Sequence, residues 1–154
     1  MLLKPHQCSG CSFEAKGQSY CPGKGPLTAP VAILGQGPGR DESYRGEPFV
    51  GAAGRRLDIW LAKASIPRSL CWIGNGMNCW YKVRGKEAAP LKAIAECYQR
   101  CWGPTLHSMP NLGKPNSFIV TFGTEVSRFL LGNWYSERAA GSVIKVTLPP
   151  LEGI

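Results

Sequence analysis

Apolar residues in this chain come in short blocks, and the rhythm between blocks changes. Val31-Ala32-Ile33-Leu34 is a continuous apolar run that predicts a buried strand. Gly35-Gln36-Gly37-Pro38-Gly39-Arg40-Asp41-Glu42 follows and reads as a glycine-rich loop that continues to Gly54. Arg55-Arg56-Leu57-Asp58-Ile59-Trp60-Leu61 has helical spacing of its apolar side chains, and Ser65-Ile66-Pro67-Arg68 ends that helix. Leu70-Cys71-Trp72-Ile73 predicts a second strand, leaving Gly74-Asn75-Gly76 at its C-terminal end. After a loop over residues 76–89, a helix starts near Pro90, with Leu91, Ile94, Ala95, Tyr98 and Trp102 spaced by three and four. Residues 117–123 predict a third strand, and Thr124 caps a short helix ending at Leu131-Gly132. Residues 143–148 predict a fourth strand or an edge hairpin.

Strands alternating with helices predict an α/β fold: a three-layer α/β/α sandwich around a central, mostly parallel four-stranded sheet. Right-handed crossovers place the loops after residues 34, 73 and 122 on one rim of that sheet. Gln36, Phe49 and Asn75, far apart in sequence, then share one neighbourhood. A length of 154 residues suits a single domain over 1–154.

Charge and cysteine usage narrow the picture. A formal charge of +8 favours an acidic partner, and nucleic acid is the commonest. No apolar run is long enough to span a membrane and the N-terminus has no apolar signal core, so a cytoplasmic protein without a membrane partner is expected. Seven cysteines, an odd number in a reducing compartment, point to metal ligation rather than a disulfide framework. Cys8 and Cys11 form a C-x2-C knuckle, while Cys79 and Cys97 lie downstream with seventeen residues between them. Four thiolates could hold a [4Fe–4S] cluster or a tetrahedral zinc, and spacing does not separate the two. Cys101, one turn after Cys97, complicates the choice of ligand. Cys71, inside an apolar strand, reads as a small buried hydrophobe, and Cys21 is a spare in a loop.

The rim residues carry candidate binding chemistry. Glycine amides at Gly35 and Gly37 can approach a flat base or an anion closely. Phe49 can stack on a ring, and Asn75 can present an acceptor and donors to a pyrimidine edge. Each alone has an ordinary reading, as a core phenylalanine and a turn asparagine. Glu42 could order an attacking water or the loop itself. His6 and His107 have no partner evident in the sequence. Lys82, Arg84 and Lys86, interleaved with Trp80 and Tyr81, suit phosphate contact.

Several of these blocks match a known family. Leu34-Gly35-Gln36-Gly37-Pro38-Gly39-Arg40-Asp41-Glu42, then Gly46-Glu47-Pro48-Phe49-Val50-Gly51-Ala52-Ala53-Gly54-Arg55-Arg56-Leu57-Asp58, form the first motif. Ile73-Gly74-Asn75-Gly76-Met77-Asn78-Cys79 forms the second, and Phe118-Ile119-Val120-Thr121-Phe122-Gly123-Thr124-Glu125 the third. In this order, from Cys8 to about Leu131, the chain resembles the family 4 (iron–sulfur) uracil-DNA glycosylases of the wider uracil-DNA glycosylase superfamily.

The resemblance implies a base-excision repair enzyme that flips uracil from DNA and hydrolyses its N-glycosidic bond. It implies Cys8, Cys11, Cys79 and Cys97 as ligands of a structural [4Fe–4S] cluster. It places Gly35, Gln36, Gly37, Pro38, Phe49 and Asn75 around the base, with Gln36, Glu42 and Asn75 as the catalytic set. The implied partner is uracil-containing DNA, bound by a monomer that could also meet a replication or repair protein. The chain departs from the pattern in four ways. Gln36 stands where glutamate is usual, Ser43 where an acidic residue is common, and Asn78 where lysine is common. The His-Pro-Ser-type motif is missing, and Leu151-Glu152-Gly153-Ile154 looks like the approach to it, so a C-terminally truncated chain with little or no excision is expected. The alternative is a non-catalytic iron–sulfur DNA-binding module. A zinc-bound nucleic-acid protein is the third reading.

Overall fold

A computed structural model describes residues 8–13, 20–80, 91–109, 118–132 and 141. The three apolar blocks form strands β1 (Val31–Gly35), β2 (Cys71–Asn75) and β3 (Phe118–Phe122), all parallel and ordered β2-β1-β3. The helices are α1 (Arg40–Arg45), α2 (Ala52–Lys63), α3 (Leu91–Ser108) and α4 (Thr124–Leu131). The sheet has three strands among the described residues; the expected fourth, over 143–148, lies outside them. The outer edge of β2 is covered by the segment before β1. Lys24 exchanges two antiparallel backbone hydrogen bonds of 2.8 Å with Ile73, and Tyr20 bridges Cys79. No helix of the described residues is long and apolar enough to cross a membrane.

The period-two alternation of strand side chains sorts the core into two layers. Ala32, Leu34 and Trp72 point to one face and pack with Tyr98 of α3 and Val126 of α4. Val31, Ile33, Cys71 and Ile73 point to the other and pack with Leu57 and Leu61 of α2. The sheet is therefore sandwiched between helices, as the alternation of blocks predicts. Residues such as Ile33, Leu34 and Leu57 are at most 2% exposed, so each contributes about 1.5–3 kcal/mol by leaving water. β3, by contrast, keeps Phe118 and Val120 exposed, at 56% and 40%.

The structure departs from the sequence reading in three places: Gly123, not Thr124, is the N-cap of α4, Leu70 belongs to a 3₁₀ turn before β2, and an additional helix forms after β1. The loop after β1 contains α1, a helix of six residues. Its signals are local: Asp41 and Glu42 in the first turn, Arg45 in the last, and Gly46 in the left-handed conformation after it. The Gly46 amide donates to the Glu42 carbonyl oxygen at 2.7 Å, closing the helix. The basic loop residues Tyr81, Lys82, Arg84 and Lys86 lie outside the described residues, as does His6.

Candidate active site

The parallel register decides which residues share the C-terminal rim. Gly35 is level with Asn75 of β2 on one side and with Phe122 of β3 on the other. The pairing of β1 and β2 continues past both strands, because the Gly76 amide donates to the Gly35 oxygen (2.9 Å) and the Met77 amide to the Gln36 oxygen (3.0 Å). The Tyr98 hydroxyl, from α3, donates to the same Gln36 oxygen at 3.2 Å. The Gln36 main chain is thus fixed while its side chain remains exposed. A cavity of about 420 Å³ opens on this rim, and Gly35, Gln36, Gly37, Glu42, Phe49 and Asn75 all line it. Arg40, Asp41 and Phe122 are also part of its lining. Of the rim residues expected at the base, Pro38 is buried and does not line the cavity.

Asn75 is the most unusual group in the cavity. It is 2% exposed, and its Nδ2 has no hydrogen-bond partner among the described residues. An unmet buried donor costs about 1–3 kcal/mol, which a ligand acceptor would offset. Its Oδ1 lies over Gly35, where a Cβ would come within 2.5 Å of that oxygen and 2.7 Å of the Phe49 ring. Glycine at 35 therefore makes room for both side chains at once.

Phe49 is held in a backbone conformation it does not favour. Its φ is +55°, in the left-handed region that costs a side-chain-bearing residue about 1–2 kcal/mol. Neighbours on both sides hold it there. Both Glu42 carboxylate oxygens are engaged: Oε1 accepts from the Val50 amide (3.0 Å) and the Gly51 amide (2.7 Å), and Oε2 from the Gly39 amide (3.1 Å). Opposite, Arg68 Nη2 donates to the Phe49 carbonyl (3.0 Å) and the Pro48 carbonyl (3.3 Å), while its Nη1 pairs with Asp58 at 2.7 Å. Helix α2 comes so close beneath the turn that a Cβ at Gly54 would overlap the Phe49 carbonyl. The Phe49 ring meets Phe122 edge-on at 6.4 Å, and Phe122 stacks on Trp60 at 5.3 Å.

A second group of side chains lies behind the rim. All seven cysteines are buried. Cys8 and Cys11 share a tight turn, with the Cys11 amide donating to the Cys8 oxygen at 3.0 Å. Cys11, Cys79, Cys97 and Cys101 pack in one core layer, with the Cys97 and Cys101 sulfurs 3.8 Å apart. Burial, reinforced by the nearby thiols of Cys101, Cys8, Cys79 and Cys21, raises the Tyr20 phenol to about 12. The hydrogen bond with Cys101 and then burial push the Cys97 thiol up, whereas the same bond lowers Cys101 to about 7. Among the described residues no three His, Cys, Asp or Glu side chains gather closely enough to hold a metal ion. Cys71 is buried in β2, where the apolar run places it.

Residues 22–150 match the family model described as the Uracil DNA glycosylase superfamily. The chain belongs to that superfamily. The resemblance read from the motifs is borne out, and so is the α/β class. The match takes in every rim residue named above, together with Cys79 and Cys97; Cys8 and Cys11 precede it. This superfamily member is also similar to the type-4 uracil-DNA glycosylase of Archaeoglobus fulgidus, 40% identical over 72 residues, which are 47% of this chain and 36% of the relative. It is 35% identical over 82 residues to the type-4 uracil-DNA glycosylase of Pyrobaculum aerophilum, covering 51% of this chain and 42% of that one. With the type-4 uracil-DNA glycosylase of Thermotoga maritima it shares 33% identity over 73 residues, 47% and 38% of the two chains. The matched segments thus span less than half the length of these relatives.

Sequence reasoning missed two contributors to this cavity and its wall. Phe122 reaches the rim through its register with Gly35, which the placement of the loop after residue 122 could have revealed. Arg68 follows Pro67 in a short 3₁₀ turn, and no local signal ties it to a carbonyl nineteen residues earlier.

Proposed function

We propose that the chain carries the uracil pocket of a type-4 uracil-DNA glycosylase and acts in base-excision repair. The observation that carries this is the buried, unpartnered Asn75 amide in a cavity walled by the Phe49 ring. Uracil stacked on Phe49 would accept from Asn75 Nδ2 through its O4 and donate its N3–H to Oδ1. Cytosine offers a donor at the exocyclic amine and an acceptor at N3, so both contacts turn repulsive.

Hydrolysis adds water across the N1–C1′ bond. The bond's electron pair leaves with uracil, the sugar gains positive character, and the water oxygen binds C1′ while its proton is released. Donors held on the base, with Asn75 first among them, stabilise the leaving anion, and the rigid amides around Gln36 and Gly37 add their dipoles. Gln36 can orient a water through its amide, but it cannot take a proton or offer a negative charge to the sugar. Glu42 contributes by ordering the loop, since its oxygens already serve three amides. The charge of +8 and the exposed Arg40 in the cavity lining suit a DNA backbone, and extrusion of the base costs a few kcal/mol that such contacts offset.

Thiolates are the usual donors of a [4Fe–4S] cluster, and the buried cysteines supply that donor type although no three of them are gathered at metal-binding distance among the described residues. Cys8, Cys11, Cys79 and Cys97 would hold it, with Cys101 beside them. Bound there, it would act as a structural cross-link among the Cys8–Cys11 turn, the end of β2 and α3. A single-domain, monomeric, cytoplasmic enzyme completes this reading.

The test is release of free uracil from a uracil-containing oligonucleotide, with the thymine-containing oligonucleotide as control. Excision of uracil alone supports the reading. The neutral Gln36 favours a second reading, a non-catalytic iron–sulfur DNA-binding module, which predicts uracil-selective, salt-sensitive binding without release. Equal affinity for both oligonucleotides together with no release of uracil would sink both readings.

A further inference from the structure

Phe49 is gripped from two directions by groups of opposite charge. Glu42 takes the amides that follow it, and Arg68 caps the carbonyls of Phe49 and of the residue before it. Arg68 does not line the rim cavity. Its guanidinium is anchored by Asp58 on α2, so the turn is fixed to the helix that covers this face of the sheet. A carbonyl so capped cannot rotate without losing a charge-assisted bond, and the left-handed φ of +55° would otherwise relax.

We propose that Arg68 is a positioning residue for base recognition: it holds the Phe49 ring at its angle over the pocket through the backbone carbonyls of Pro48 and Phe49, without touching the base. The inference rests on the uracil-pocket reading for its functional consequence, but its structural core can be read without any ligand. Arginine suits the task because its planar fork serves two carbonyls and a carboxylate together, which a lysine ammonium does less well.

The first measurement is hydrogen exchange at the Val50 and Gly51 amides in the free protein. In Arg68→Ala these amides should exchange about tenfold faster or more, with Ile33 in the sheet unchanged, because only the local turn has loosened. The second is a double-mutant cycle on affinity for the uracil-containing oligonucleotide. Arg68→Ala should weaken binding by about tenfold in the native background and by less than about twofold when Phe49 is already alanine. Arg68→Lys should fall between native and Arg68→Ala. Asp58→Asn, which leaves both carbonyl caps in place, should bind within about threefold of native and controls for loss of the ion pair alone. Unchanged exchange at Val50 and Gly51, or equal losses in the two Phe49 backgrounds, would overturn the positioning role. If exchange accelerates as expected but the native chain shows no preference for uracil over thymine, the clamp stands and the uracil reading falls.

Discussion

Removing the Glu42 carboxylate tests how the pocket wall is assembled. Its oxygens accept three backbone hydrogen bonds, from Gly39, Val50 and Gly51, and the side chain is 8% exposed. A hydrogen bond to a charged group contributes about 1.5–3 kcal/mol, with the shortest and most buried, to Gly51, at the upper end. The Gly39 and Val50 amides are only partly buried, and in Glu42→Ala water entering from the cavity can replace much of what they lose. The sum comes to about 4 kcal/mol, a large part of the 5–15 kcal/mol that usually separates folded from unfolded. For a domain of this size that corresponds to a fall in Tm of about 8–16 °C. Glu42→Gln keeps an acceptor for Val50 and Gly51 but turns an amide nitrogen toward Gly39, so about half that loss is expected. Calorimetry or a thermal melt on both variants gives the answer. A Tm for Glu42→Ala within about 3 °C of native would refute the clamp, since that shift corresponds to about 1 kcal/mol. Loss of uracil release in Glu42→Gln with no change in Tm would instead assign Glu42 to the attacking water.

Asn75→Asp should lower affinity for a uracil-containing oligonucleotide by about tenfold or more, because a carboxylate cannot donate to a base carbonyl, and unchanged affinity in a binding titration would remove Asn75 from the base edge. Phe49→Ala should abolish most of the preference for uracil over thymine while binding to undamaged DNA stays within about twofold, as a stacking contribution of about 1–3 kcal/mol per base implies. Burial, with help from the charges of Glu42 and Glu47, raises the Cys21 thiol from 9.0 to about 12. The folded form therefore holds the proton longer than the unfolded one, so this group's contribution is intact below about pH 9 and is lost as pH rises toward 12. Denaturation followed between those values should show that decline, and Cys21→Ala should flatten it. Anaerobically purified protein should carry iron and sulfide with a visible absorbance that a chelator bleaches, and colourless protein containing stoichiometric zinc would reject the cluster.

The legible parts of this molecule are those in which local chemistry and global position agree. Three apolar blocks gave three strands: β1 and β2 are buried on both faces, which parallel pairing under helices favours, and β3 follows from the same apolar pattern although Phe118 and Val120 stay exposed. The shared rim followed from chain direction, since parallel strands bring the loops after residues 34, 73 and 122 to one end, but the register that sets Gly35 level with Asn75 and Phe122 is fixed only by the strand pairing. α1 was less legible, although Asp41, Glu42, Arg45 and Gly46 mark its ends. Three glycines and a proline just before it carry an equally strong loop signal, and both signals are correct within eleven residues.

The wall of the pocket was illegible for a different reason. Phe49 reads as an aromatic near a glycine-rich loop, but its usefulness depends on its φ of +55°, which nothing in Pro48-Phe49-Val50 encodes. That conformation is fixed by partners seven residues before it and nineteen after it, one acidic and one basic, each bonding to the backbone of the turn and not to the Phe49 side chain. Backbone groups are identical along the chain, so a sequence carries no mark of which carbonyl an arginine will find. The same argument explains why Asn75 could be singled out and its orientation could not: residue type announces donors and acceptors, whereas the room for its side chain comes from the absence of a Cβ on Gly35 in the next strand. If the cavity takes uracil as proposed, recognition depends on how rigidly two ordinary side chains are held, and the clamp of Glu42 and Arg68 is where substitutions away from those two side chains should be felt first.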